Sequence, residues 1–310
     1  MRAVTSADRW DIPPPVSTIE VSLDDHTVTT VRRYGSPSGP RLVLSHGNGL
    51  AIDLYFPFWS LLLEDFDVFL YDLRNHGRNV LGRRSNHNIP TFINDESRII
   101  ASIDSSFGEK PKIGVFHSFS ALITLLSLSS VMASDHNPGV GFETLVLFDP
   151  PLFLSSASEA EFDEHAEALA RRTRRRHNHF ESVEQFVELL EYSPSYARVL
   201  PGVRELIART TLRKSAQGDH YELRCPPDYE AQIVEYVRSY AGLVDFHHLP
   251  CNVKVLGADP TLPFAYLPTC DLAQMDTVDY DFLPDATHYL QLEQPAECVA
   301  AMREYLDRTP

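Results

Sequence analysis

The sequence contains only four cysteines, and their spacing excludes two common kinds of site. Cys225, Cys251, Cys270 and Cys298 lie far apart, with no Cys-x-x-Cys pair and no paired histidine spacing. This pattern argues against a structural zinc site and against a disulfide framework. We therefore expect reduced, structural cysteines and no bound metal.

The sequence also lacks a basic excess and long apolar runs. Its 27 lysines and arginines are outnumbered by 43 acidic residues, which gives a formal net charge of −16. Nucleic acid and anionic membrane surfaces require a sustained basic face, so we expect neither as a partner. No run approaches the ~18 apolar residues of a membrane span, and the first ten residues carry no apolar segment of signal-peptide length. We therefore expect a cytoplasmic protein.

Short apolar runs alternate with helical patterns along most of the chain. Several of these runs end in polar loops, among them those that begin at His46, Ser118 and Asp149. Alternation of this kind predicts an α/β fold with a doubly wound, mostly parallel sheet, and it places functional residues at the carboxyl ends of the strands.

The character of the chain changes between residues 152 and 248, where long charged helical patterns replace strands. We predict that residues 1–151 and 249–310 form the core and that residues 152–248 form an inserted helical cap. The cap contains a basic run at residues 171–176, but acidic residues precede it in the same pattern. Because the helix dipole favours this order of charges, we interpret the run as part of a solvated helix.

Residues 112–126 predict a strand, a sharp turn and a helix, with Ser118 at the turn. Such a turn exposes a serine oxygen above the sheet, and the helix that follows directs its first amides towards the same point. The usual motif at this position is G-x-S-x-G. Here Phe116 and Ser120 replace the two glycines.

A nucleophilic serine needs a base within hydrogen-bonding reach, an acid that orients the base, and donors for the developing oxyanion. The chain offers Ser118, then aspartates at strand ends, then His288. This is the order of the triad in α/β-hydrolases.

Five segments resemble consecutive landmarks of the α/β-hydrolase superfamily, and together they cover about residues 41–306. They are HGNG at 46–49, YDLRNHG at 71–77, FHSFS at 116–120, LFDPP at 147–151 and HYLQLEQP at 288–295. The resemblance implies an α/β-hydrolase fold with a helical cap and a degenerate nucleophile elbow. It also implies that Ser118 is the nucleophile, that His288 is the general base, and that the amides of Asn48 and Phe119 form the oxyanion hole.

Two aspartates compete for the role of the triad acid. The superfamily usually draws its acid from the later strand, which favours Asp259, and Pro260 would fix the backbone beside it. Some members use the earlier strand, which would make Asp149 the acid. We predict Asp259 and keep Asp149 as the alternative.

Four residues near the first loops are candidates for a substrate pocket. They are His46, Tyr55, Phe56 and Trp59. Packing in the core is the competing interpretation of the aromatic residues, and ordering of the oxyanion loop is the competing interpretation of His46.

We predict a serine hydrolase that cleaves a small, largely apolar ester or lactone through an acyl-enzyme on Ser118, without a cofactor. Two alternatives stay open. The same triad could hydrolyse a carbon–carbon bond in a β-diketone. The chain could also be a non-catalytic ligand-binding protein that kept the fold, an interpretation that Phe116 and Ser120 favour. The sequence makes no prediction of the oligomeric state.

Overall fold

The computed structural model describes residues 10–129, 141–153, 156–262 and 267–309. The strands are β1 (Ser17–Ser22), β2 (Val28–Gly35), β3 (Arg41–Ser45), β4 (Asp67–Tyr71), β5 (Lys112–His117), β6 (Thr144–Phe148), β7 (His179–Phe180), β8 (Leu212–Lys214), β9 (Tyr221–Leu223), β10 (Asn252–Gly257) and β11 (Asp279–Phe282). The helices are α1 (Phe56–Trp59), α2 (Ile89–Phe107), α3 (Phe119–Leu128), α4 (Ser156–Arg174), α5 (Val183–Glu191), α6 (Val203–Thr211), α7 (Pro227–Tyr240), α8 (Leu290–Glu293) and α9 (Pro295–Arg308). None of the described helices is long and apolar enough to cross a membrane.

Eight strands form one sheet in the order β1-β2-β4-β3-β5-β6-β10-β11. The pairs β1–β2 and β2–β4 are antiparallel, and all other neighbours in this sheet are parallel. Strands β3, β4 and β6 are buried along their whole length, as expected for parallel strands that are covered on both faces. The prediction of a doubly wound, mostly parallel sheet is confirmed.

Two hydrophobic clusters cover the two faces of this sheet. Because side chains alternate along a strand, Leu42 and Leu44 of β3 enter one cluster and Val43 enters the other. The first cluster includes residues of α1 and α9, and the second includes residues of α2 and α3. The sheet is therefore held between two layers of helices.

Helix α2 illustrates how local sequence sets these layers. The side chain of Asn88 precedes the helix and accepts a hydrogen bond from the backbone N–H of Thr91 at 3.1 Å, which satisfies one of the donors left open at a helix start. The apolar residues recur at helical spacing and are buried against the sheet. They are Ile89, Phe92, Ile93, Ile99, Ile100 and Ile103.

Parallel pairing brings the carboxyl ends of four central strands side by side. Ser45 at the end of β3 pairs with Phe116, His117 at the end of β5 pairs with Phe148, and Phe148 pairs with Leu256 of β10. The loops that follow β3, β5, β6 and β10 therefore begin at one edge of the sheet. Most of the candidate functional residues lie at this edge.

Between β6 and β10 the described chain forms α4 to α7 and a separate antiparallel sheet in the order β7-β9-β8. The sequence did not predict this small sheet. The division of the chain into a core and a cap at residues 152–248 stays a prediction.

The basic run at residues 171–176 spans the end of α4 and its continuation. Three of its arginines pair with carboxylates: Arg171 with Glu167, Arg174 with Glu235, and Arg176 with Glu230. The last two pairs join the end of α4 to α7. These ion pairs agree with the interpretation of the run as part of a helix surface.

Candidate active site

Ser118 lies between β5 and α3 in a strained backbone conformation, with φ of 53° and ψ of −115°. A positive φ is unfavourable for any residue with a side chain, and such strain is typical of functional turns. The backbone N–H of Ser118 donates to the carbonyl oxygen of Phe148 at 2.9 Å, which ties the turn to β6. The predicted strand, turn and helix are present, and the serine stands at the bend.

Phe116 fits into the elbow because Gly114 leaves room for its ring. A Cβ atom added at Gly114 would lie 2.6 Å from Cε2 of Phe116. The ring is fully buried and packs edge-to-face on Phe142, with 5.6 Å between the ring centroids. Phe116 replaces the first glycine of the motif, and the glycine that makes room for its ring is Gly114, two residues earlier on the same strand.

Ser120 replaces the second glycine and closes the turn on itself. Its hydroxyl accepts a hydrogen bond from the backbone N–H of His117 at 3.2 Å and donates to the carbonyl oxygen of His117 at 3.0 Å. Both departures from the motif thus support the local geometry.

His288 connects Ser118 to Asp149. Its Nε2 lies 3.0 Å from Oγ of Ser118, and its Nδ1 lies 2.6 Å from Oδ2 of Asp149. Since an ionised carboxylate only accepts hydrogen bonds, Nδ1 carries a proton, and the Nε2 of a neutral ring accepts from the serine hydroxyl. This arrangement can remove a proton from Ser118 and stabilise the resulting imidazolium.

Asp149 is fixed by the first residue of the loop that follows β10. Its second carboxylate oxygen, Oδ1, accepts a hydrogen bond from the backbone N–H of Ala258 at 3.1 Å. The residue is 2% exposed and has a φ of 42°. Both carboxylate oxygens are therefore occupied, and one of them faces His288.

The predicted placement of Asp259 beside His288 is corrected, since Asp149 makes that contact. The carboxylate of Asp259 instead accepts hydrogen bonds from the backbone N–H and the hydroxyl of Thr261 and from the backbone N–H of Asp285. These bonds, led by the Thr261 hydroxyl, lower the pKa of Asp259. Asp259 thus holds the loop that carries His288 without contacting the imidazole through a hydrogen bond.

The two residues predicted for the oxyanion hole lie in segments that adjoin Ser118. Phe119 is the first residue of α3, where backbone N–H groups have no partner within the helix. The Asn48 loop passes close to the serine, because a Cβ added at Gly47 would lie 3.3 Å from Cβ of Ser118. Within the described residues, no backbone carbonyl or side chain accepts from the N–H of Asn48 or Phe119.

Two buried histidines hold the Asn48 loop. His46 accepts from the backbone N–H of Leu73 at 3.1 Å and donates to the carbonyl oxygen of Gly47 at 2.8 Å, while His76 accepts from the N–H of Gly49 at 3.0 Å. Burial lowers the pKa of His46 to about 4 and that of His76 to about 3, so both rings are neutral at pH 7. Among the described residues, no group of three or more His, Cys, Asp or Glu side chains is placed to hold a metal ion.

The four residues suggested for a substrate pocket divide into two pairs. His46 and Tyr55 adjoin the site, since both bond to Gly47. Trp59 is fully buried, donates to the carbonyl oxygen of Ile52, and packs with Phe56 at 4.7 Å between ring centroids. The suggestion that Trp59 lines a pocket is therefore corrected, because its side chain belongs to the hydrophobic core. Phe56 is only partly buried and packs against that core, so its place in a pocket stays a prediction.

Sequence reasoning missed a contact between the Asn48 loop and α7. The Asn48 side chain donates to the backbone carbonyl of Glu230 at 2.9 Å, and a Cβ added at Gly49 would lie 2.5 Å from a Glu230 carboxylate oxygen. Residues 48 and 230 are far apart in the chain, so no local pattern could have indicated that they meet.

Comparison with known proteins places this geometry in a known context. A family model described as the alpha/beta hydrolase family matches residues 42–301. A search of curated proteins finds no match.

Many solved structures share the fold. An E-2-(acetamidomethylene)succinate hydrolase superposes with a TM-score of 0.75 at 16% identity, covering 94% of this chain and 99% of the other. An alpha/beta hydrolase from Novosphingobium aromaticivorans gives a TM-score of 0.69 at 17% identity, covering 96% and 99%. An enol-lactonase from Burkholderia xenovorans gives 0.66 at 16% identity, covering 94% and 100%.

Proposed function

This chain belongs to the alpha/beta hydrolase family, and we propose that it is a serine hydrolase that cleaves a small, largely apolar ester or lactone through an acyl-enzyme on Ser118. One observation carries the proposal. A strained serine at a strand-to-helix turn is hydrogen-bonded to a histidine, and a buried aspartate holds the other nitrogen of that ring. A protein that only binds ligands has no need of this connected set.

In the first half of the reaction, His288 Nε2 takes the hydroxyl proton of Ser118 as Oγ attacks the substrate carbonyl carbon. The carbonyl oxygen becomes an oxyanion, for which the N–H groups of Asn48 and Phe119 are the donors. Asp149 stabilises the positive charge that forms on His288. The imidazolium then protonates the departing alkoxide, and the acyl group stays on Ser118.

In the second half, a water molecule replaces the alcohol. His288 takes a proton from this water as it attacks the acyl carbon, and the same two N–H groups meet the second oxyanion. The bond to Oγ breaks, and His288 returns the proton to Ser118. In a lactone the alcohol and the acid are parts of one product molecule.

Aromatic side chains beside the triad support an apolar substrate. The ring of Tyr289 lies 5.7 Å from that of His288, and the ring of Tyr196 lies 5.0 Å from that of Tyr289. Such surfaces favour apolar acyl or alcohol groups. The enol-lactonase and the other hydrolases of the same fold support this class of reaction without identifying the substrate.

The test is hydrolysis of short p-nitrophenyl esters by Ser118→Ala, with Ser127→Ala as the matched control. Ser127 is also a buried serine of α3, but its hydroxyl contacts Glu96. We expect Ser118→Ala to lose ~10⁴–10⁶ in kcat, because the attacking oxygen is gone. Ser127→Ala should keep its activity per folded molecule. Activity of Ser118→Ala within about tenfold of the wild type would refute the serine mechanism.

A further inference from the structure

The residue before the nucleophile joins two catalytic loops through a continuous chain of hydrogen bonds. The backbone N–H of Gly47 donates to the Tyr55 hydroxyl at 3.2 Å, and that hydroxyl lies 2.6 Å from Nδ1 of His117. On the other side of the ring, Nε2 of His117 lies 2.8 Å from the carbonyl oxygen of His288. The chain therefore runs from the loop of Asn48 to the backbone of the general base.

The carbonyl oxygen of His288 fixes where the protons lie. A carbonyl oxygen only accepts, so Nε2 of His117 carries a proton and donates to it. In a neutral imidazole Nδ1 then carries no proton and accepts from the Tyr55 hydroxyl, whose oxygen accepts from the backbone N–H of Gly47. Tyr55 is 2% and His117 is 1% exposed, and burial lowers the pKa of His117 well below its usual value. A protonated His117 would leave the Tyr55 hydroxyl without an acceptor in this chain.

We propose that Tyr55 and His117 are positioning residues that fix the distance between the oxyanion donor at Asn48 and the base His288. The inference rests on the proposed function, because it assigns a task to two residues that carry no step of the reaction, although the His117 ring packs on that of His288 with 4.7 Å between the centroids. The ring of His117 contacts Tyr55 on one side and the backbone of His288 on the other. Because His117 directly precedes Ser118, this one residue connects the turn of Ser118, the loop of Asn48 and the loop of His288.

The physical reason is that the reaction needs the base and the oxyanion donors in one arrangement at the same time. Misplacement of a catalytic group by about 1 Å can cost ~10²-fold in rate. The two loops come from strands at different positions in the sheet, β3 and β11, and β5 lies next to only the first of them. A link through the end of β5 is therefore a direct way to hold them together.

Tyr55→Phe removes one hydroxyl from this chain and keeps the ring. We expect kcat for p-nitrophenyl acetate, per site titrated with a fluorophosphonate, to fall about 10–100-fold while KM changes by less than about threefold. The matched control is Tyr34→Phe, which removes a hydroxyl from another buried tyrosine that packs on Trp59 outside the site. We expect its kcat and KM to equal those of the wild type.

Two substitutions of His117 each break the chain of hydrogen bonds on one side of the ring. In His117→Asn the amide can take the place of Nδ1 and accept from Tyr55, but it cannot reach the carbonyl of His288. In His117→Gln the amide can take the place of Nε2 and donate to that carbonyl, but the partner of Tyr55 is lost. We expect each variant to lower kcat about as much as Tyr55→Phe, and the double variant Tyr55→Phe/His117→Gln to lose little more, because both changes break the same link.

Several results would overturn the proposal. A Tyr55→Phe enzyme with wild-type kcat per titrated site would do so, as would variants of His117 that lower only the melting temperature. If Tyr55→Phe does not fold, the two His117 variants decide the question by the same measure. A wild-type protein that never reacts with the fluorophosphonate would instead refute the proposed function, so the two failures are distinguishable.

Discussion

Substitution of Phe116 tests whether this bulky residue strains or stabilises the turn around Ser118. In the structure its ring occupies the space that a Cβ of residue 114 would need, and it is fully buried. If the ring is well packed, Phe116→Ala should destabilise the protein. If the ring is crowded, the same substitution should relieve strain and stabilise it.

The packing of the ring predicts the first outcome and its size. Truncation of a fully buried phenylalanine costs about 3–5 kcal/mol of the free energy of unfolding, because it leaves a cavity. Gly114→Ala alone should cost about 1–3 kcal/mol, since its Cβ would lie 2.6 Å from both Phe116 and Leu145. In the Phe116→Ala background the first of these neighbours is gone, and the end of the Leu145 side chain can rotate. The cost of Gly114→Ala should then fall to near zero.

The assay is a double-mutant cycle of urea unfolding curves for the wild type, both single variants and the double variant. Fluorescence of Trp59, which is fully buried, reports the transition. We expect a favourable coupling of about 1–3 kcal/mol between positions 114 and 116. A gain of stability in Phe116→Ala, or additivity within about 0.5 kcal/mol, would refute the packing explanation of the degenerate elbow.

Two further predictions concern acidic groups. Asp149→Asn should lower kcat by ~10⁴ with little change in KM, because Nδ1 of His288 loses its charged acceptor. Asp259→Asn should mainly lower stability. Equal losses of kcat for the two variants in ester hydrolysis would contradict this assignment. Burial raises the pKa of Glu96 to about 7 although it accepts from the hydroxyl of Thr124, so the stability that this group contributes is present below pH 4.5 and is lost as pH rises through 7. From pH 5 to pH 9 this loss is about 2–3 kcal/mol of the free energy of unfolding. In urea unfolding, the stability of Glu96→Gln relative to the wild type should therefore rise by about that much between pH 5 and pH 9. A stability difference that is independent of pH would contradict the prediction.

The main sheet could be predicted from the sequence because its strands are short apolar runs bounded by turn residues. The apolar run at residues 41–45 coincides with β3, and the apolar residues of α2 recur at helical spacing. Strands β7 to β9 have two or three residues each, which is too short for any periodicity. They form where tertiary contacts allow, and no local pattern marks them.

The site could be predicted less completely than the sheet, for a similar reason. The serine and the histidine are marked by their places at a strand-to-helix turn and before the last helices. The two aspartates end adjacent strands, β6 and β10, and look equivalent in the sequence. Which one faces His288 depends on long-range hydrogen bonds, from Ala258 to Asp149 and from Asp285 to Asp259. The link from Tyr55 to His117 spans 62 residues and is invisible to any local pattern.

The most direct test of the account is to identify the residue that a fluorophosphonate modifies. The probe phosphonylates a serine only when a base activates it and donors receive the oxyanion, so its adduct reports the complete site. We predict that peptide mapping by mass spectrometry finds one adduct on Ser118 of the wild-type protein and none in Ser118→Ala. An unreactive wild-type protein, or an adduct that persists on another serine in Ser118→Ala, would contradict the account.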